Sequence, residues 1–232
     1  RNKINLIITT NGSLVNEQLV ATLSAVEPLD VRVSFDGGPQ LHDLIRGKGS
    51  YKKAIVGLSM LIAGHISSTA RLTLSSGGDD EIPILFGDLE NIGIRKIKVA
   101  LTKSIGRATD QGKHLVRDIE STETSDWLIK LGLQNGIIVE LSSDDFKSSF
   151  LPIVDSKLRV SAPHCGAGFE TAYISATGQV TACVAMPSQS FGELHKKTFV
   201  EVWLGELAVT YRDWATNCNT QRICDACNKK RK

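Results

Sequence analysis

The chain of 232 residues is 41% hydrophobic and 22% charged, with a formal net charge of +2. That length buries a core large enough for one domain or two, and the small net charge argues against a nucleic-acid partner, which would call for a basic face. No apolar run approaches the roughly 18 residues a membrane span needs, and five cysteines are too few for a disulfide scaffold, so a cytoplasmic protein with no membrane partner is expected. The sequence opens at Arg1 inside what reads as structured sequence, and the expectation is that an earlier segment is missing.

In chain order, Ile4 to Thr9 reads as a buried strand ending in the turn Asn11-Gly12. Asn16 then caps a helix with Leu19, Val20, Leu23 and Val26 on one side. Val31, Val33 and Phe35 alternate with Arg32, Ser34 and Asp36, which predicts a second strand broken by Gly37-Gly38. Helical spacing of Ile55, Leu58, Leu61 and Ile62 predicts a helix from Ser50 to about Ile62. A third strand is predicted over Ala70 to Leu74, a short helix from Asp79 to about Leu89, and a fourth strand over Ile94 to Leu101.

Strands joined by helices imply parallel crossovers, hence an α/β sheet. Four such units are visible, too few for a closed barrel, which leaves a partial barrel or an open sheet. Residues 102 to 123 read as a polar loop, Thr124 to Leu133 as a helix and Gly136 to Leu141 as a strand. A second unit then follows. It carries a hairpin, Ala172 to Ile174 and Val180 to Val184 around Thr177-Gly178, and helices near Thr198 to Leu204 and Leu207 to Trp214.

All five cysteines fall in this second part: Cys165, Cys183, Cys218, Cys224 and Cys227. Cys224 and Cys227 form a Cys-x-x-Cys pair whose thiolates can turn onto one metal, and folding the hairpin brings Cys165 and Cys183 toward them. Four thiolates suit either tetrahedral zinc or a four-iron cluster, and the spacing does not separate the two. Cys218 reads as a bystander thiol or a substitute ligand.

Cys165, Gly178 and Cys183 with the later cysteine group, followed by Phe191-Gly192 and Phe199-Val200-Glu201-Val202-Trp203, resemble the SPASM auxiliary domain of radical S-adenosylmethionine (SAM) enzymes, or its shorter twitch relative. Thr10-Asn11-Gly12, Val33-Ser34-Phe35-Asp36-Gly37 and His42-Asp43-Leu44-Ile45-Arg46-Gly47 ahead of a helix resemble later strands of the radical SAM barrel. Two features depart from the family. The Cys-x-x-x-Cys-x-x-Cys loop that binds the SAM-ligating cluster is absent, as is the Gly-Gly-Glu segment after it, and five cysteines fit one auxiliary cluster, which favours the twitch-like version.

The resemblance implies an α/β fold: a partial radical SAM (β/α) barrel over residues 1–157, followed by a small α+β cysteine-ligated auxiliary cluster domain over 158–232. It implies an enzyme using 5′-deoxyadenosyl radical chemistry on a peptide or protein, with a small-molecule substrate or a zinc-stabilised binding module as alternatives. The implied cofactors are SAM, a [4Fe-4S] auxiliary cluster on Cys165, Cys183, Cys224 and Cys227, and a second, SAM-ligating [4Fe-4S] cluster only in a complete protein. The chain alone is expected to be inactive, and the implied electron donor is a flavodoxin or ferredoxin. Ser34 is expected to contact SAM, and Asp36 to hold the adjoining turn or a polar SAM group. Thr10 and Asn11 serve as turn formers or ligand contacts. Arg46 offers a fork of donors to the SAM carboxylate or a neighbouring acid, with pairing to Asp43 as the plain alternative. His42 packs or caps the turn, and Arg71, within the third strand, points either into the barrel mouth or outward.

Overall fold

The computed structural model describes residues 5–102, 122–142, 166–184, 186 and 189–216. The chain divides into two compact units, Arg1–Leu151 and Pro152–Lys232. The expected boundary at 157/158 lies outside the described residues.

The first unit runs β1 (Ile7–Thr10), α1 (Glu17–Val26), β2 (Asp30–Phe35), α2 (Pro39–Arg46), α3 (Ser50–Ala63), β3 (Ser68–Leu74), a 3-10 turn (Asp79–Glu81), α4 (Ile82–Asn91), β4 (Lys96–Leu101), α5 (Thr122–Gln134) and β5 (Ile138–Leu141). The five strands lie side by side in sequence order, every pair parallel. Strand order that never reverses, with crossovers of one hand, sends all helices to one face, as in a (β/α) barrel rather than a doubly wound sheet. Burial agrees: Val31, Val33, Phe35, Ala70, Leu72, Ile97 and Val99 share one core with Leu58, Leu61, Leu85, Phe86, Leu89 and Leu128 of the helices. The expected partial barrel is therefore the observed fold, and the 138–141 strand joins the same sheet as a fifth member.

Local chemistry sets the element ends. The Asn16 side chain accepts from the Leu19 amide at 2.9 Å and so starts α1, as the sequence predicts. The apolar side of α1 is narrower than its pattern suggests, because Leu23 is buried while Leu19 and Val26 are exposed. Pro39–Arg46 form α2, although the segment His42 to Gly47 is expected from the sequence only to lie ahead of a helix. Pro39 sits in its first turn, where a missing amide hydrogen costs nothing. Glu81, from the loop after β3, supplies the acceptor at this end, taking the Gln40 amide at 2.8 Å.

The second unit has a three-stranded antiparallel sheet, β6 (Tyr173–Ile174), β7 (Gln179–Thr181) and β8 (Ser190–Glu193), followed by α6 (Phe199–Trp203) and α7 (Glu206–Thr216). The predicted hairpin turns at Gly178, whose φ of +78° favours glycine, and a third strand joins it. Thr198 and Glu201 close a capping box on α6. Val180, Met186, Phe191, Val202, Ala208 and Tyr211 form a separate core, so the unit is α+β as expected. Among the described residues no helix is long and apolar enough to cross a membrane.

Candidate functional site

Ligands in parallel α/β sheets bind beyond the carboxyl ends of the strands. Here β1 ends at Thr10 and β2 at Phe35, so Asn11 and Asp36 stand at that rim. A pocket of about 240 Å³ opens there, with Asn11, Ser13, His42, Arg46, Lys48 and Lys53 among its walls.

Several predicted residues are engaged locally. Thr10 Oγ1 accepts from the Gly12 amide at 3.1 Å, and Asn11 Oδ1 accepts from the amide and hydroxyl of Ser13 at 3.0 and 2.9 Å. Both serve as turn formers in this conformation. Arg46 forks onto Asp36: Nε donates to Oδ2, and a terminal nitrogen donates to Oδ1 at 3.2 Å. The anticipated partner Asp43 is used elsewhere. It accepts from the Gly49 and Tyr51 amides at 2.5 and 2.8 Å and from Ser50 Oγ at 3.1 Å, which caps α3 and holds the Asp43 carboxyl below its ordinary range.

His42 is buried in contact with the rings of Phe35 and Tyr51, with centroids 5.7 and 5.8 Å away. Its Nδ1 accepts from the Asp36 amide at 3.3 Å, which leaves the ring proton on Nε2. Burial foremost, then the Arg46 guanidinium, pushes its pKa below the usual value, against opposing pulls from Asp36 and Asp43. A depressed histidine pKa means the unfolded chain binds the extra proton. The stability His42 contributes is therefore fully present above about pH 6.5 and is lost as pH falls through and below that value. Urea midpoints should drop from pH 7 toward pH 5.5, and His42→Asn should flatten that slope; an unchanged slope would count against a buried neutral imidazole.

The other predicted residues lie on the sheet's second face. In β2, Val31, Val33 and Phe35 point to the core, while Arg32 and Ser34 point the other way. Parallel register carries this face across the sheet, pairing Ser34 with Arg71, Arg71 with Lys98, and Lys98 with Glu140. Glu140 takes Lys96 at 2.8 Å and Lys98 at 2.6 Å. Partial burial raises the Glu140 pKa, but the two lysines outweigh it and hold the carboxyl below its ordinary value. Arg71 makes no ion pair among the described residues and is exposed on this face beside Ser34. The same register sets Thr9 opposite Arg32 and Thr10 opposite Val33, so Thr9 shares the polar face and Thr10 belongs to the core side. Sequence reading missed Thr9, Lys98 and Glu140. The alternation Lys96-Ile97-Lys98-Val99 held the signal for Lys98, but only the register joins it to Arg71.

In the second unit Cys183 follows β7 and packs, half-buried, against the core, as Trp203 and Trp214 also do. Its carbonyl accepts from Thr181 Oγ1 at 3.1 Å and from the Met186 amide at 3.0 Å. Cys165, Cys218, Cys224 and Cys227 lie outside the described residues.

Residues 165–228 match the family model of SPASM, an iron-sulfur cluster-binding domain. This match and the partial-barrel fold agree with the resemblance to radical SAM enzymes carrying a SPASM domain that the sequence implied. It is 27% identical over 184 residues to the sporulation killing factor maturation protein SkfB of Bacillus subtilis, covering 77% of this chain and 42% of SkfB. It is 26% identical over 220 residues to the Fe-coproporphyrin III synthase of Methanosarcina barkeri, covering 85% of this chain and 54% of that protein. The chain thus spans about half the length of these relatives. In fold it is similar to Streptococcus suis SuiB bound to S-adenosylmethionine, with a TM-score of 0.67 at 15% identity, covering 91% of this chain and 51% of SuiB.

Proposed function

We propose that this chain is part of a radical SAM enzyme that modifies a peptide or protein substrate. In this reading Cys165, Cys183, Cys224 and Cys227 hold an auxiliary [4Fe-4S] cluster that handles electron transfer, and Cys218 is a nearby thiol. The observation that carries the reading is the SPASM match over 165–228, which spans all five cysteines and follows a sheet of radical SAM fold. Thiolates are the soft donors such clusters take, so the residues fit the group. The peptide class rests on the likeness to SkfB, a maturation protein. A small-molecule substrate is the second reading, supported by the longer alignment with the coproporphyrin enzyme.

For SAM, the open polar face is the better fit. Ser34 offers a hydroxyl, and Arg71 in adjacent register an exposed guanidinium with no ion pair among the described residues, whereas the Arg46 fork is filled by Asp36. Asp36, Arg46, Thr10 and Asn11 then shape the rim rather than grip the ligand. When bound, SAM and its own iron-sulfur cluster supply the reductive chemistry, fed by a flavodoxin or ferredoxin, and the protein supplies placement and exclusion of water.

The 232 residues contain no Cys-x-x-x-Cys-x-x-Cys segment to hold that second cluster. Reconstituted and reduced, this chain should release no 5′-deoxyadenosine from SAM. A polypeptide in which such a segment precedes it should do so, and release should fall when Arg71 is replaced by Ala. Turnover by the chain alone, or full turnover without Arg71, would contradict the assignment.

A further inference from the structure

Arg212 ties together parts of the second unit that adjoin the cysteines. From α7 it donates to the Gly168 carbonyl at 3.1 Å and to the Trp203 carbonyl at 2.7 Å. Its guanidinium carbon also lies 5.2 Å from the Trp203 ring centre. Gly168 belongs to the tight loop Gly166–Thr171, closed by Gly168 N to Thr171 O at 2.8 Å and Thr171 N to Gly166 O at 3.0 Å. That loop begins at the residue after Cys165. It is pressed onto α7 so closely that a Cβ at Gly168 would lie 2.3 Å from the Tyr211 ring. Cys183 packs on the same core as Trp203, and α7 ends at Thr216, two residues before Cys218. One planar fork therefore links the loop after Cys165, the end of α6 and the helix that leads into the tail cysteines.

We infer that Arg212 is a positioning residue for the auxiliary cluster: it fixes the Gly166–Thr171 loop, which follows Cys165 in sequence, against α7 and the end of α6. The inference rests on the cluster reading above. Lysine does not substitute, because a single ammonium cannot reach both carbonyls in the geometry of a fork.

The test compares the reconstituted wild-type chain with R212A, R212K and V202A. Val202 is buried in the same core but makes no link to Gly168, so V202A lowers stability without cutting the tie. Iron loss to a chelator is followed well below each melting temperature, with the EPR spectrum of the reduced cluster. R212A and R212K should both lose iron about tenfold faster than wild type, the size expected for losing charge-assisted bonds, and with altered EPR features. V202A should melt earlier yet lose iron at the wild-type rate with an unaltered spectrum. Wild-type iron loss in both Arg212 variants, or equally fast loss from V202A, would overturn the inference while leaving the cluster reading intact. A wild-type chain that takes up no iron and sulfide would overturn the cluster reading and this inference with it.

Discussion

Replacing Arg46 with Ala should destabilise the first unit by about 2–3 kcal/mol, below the full cost of breaking a buried pair because Arg46 is partly exposed. The Asp36 side chain is only 13% exposed, against 29% for Arg46, so removing the fork strands a nearly buried carboxylate. The Asp36 amide also holds His42, which packs on Phe35 and Tyr51, so the loss spreads into the core. Arg46→Lys should recover only part of the loss, since lysine cannot donate two parallel bonds. The urea midpoint measures this. An Arg46→Ala change within about 0.5 kcal/mol, the range of ordinary surface substitutions, would mean that Arg46 is free for a ligand instead.

A comparable loss is expected for Gly57→Val. Helix α3 meets the β1–α1 turn at this residue, where a Cβ would lie 2.2 Å from the Gly12 carbonyl oxygen. The obstructing atom is backbone, so no rotamer change relieves it. The helix must move off the turn, costing about 3 kcal/mol, the upper end for overpacked sites. Because Asn11 and Ser13 flank Gly12 and line the rim pocket, the same shift deforms the candidate site. A thermal melt at the wild-type temperature would contradict this packing.

The sheet was legible because its strands are buried on one face and polar on the other. Val31, Val33 and Phe35 against Arg32 and Ser34 give period two in plain view, and Asn16 announces its helix by capping chemistry. Helix α2 was obscured because Gly37-Gly38-Pro39 reads as a break, while its acceptor, Glu81, lies some forty residues away in sequence. Strand β8 has a single fully buried apolar side chain, Phe191, and so no periodicity to detect. Arg46 illustrates the limit for the site. Helical spacing makes Asp43 its natural neighbour, yet Asp43 caps α3, and only the turn after β2 brings Asp36 within reach.

The most direct test of the central claim is the iron and acid-labile sulfide content of the anaerobically reconstituted chain, with and without Cys224→Ala. About four irons and four sulfides per chain, lost in the variant, is the predicted result; one zinc with no sulfide would contradict it.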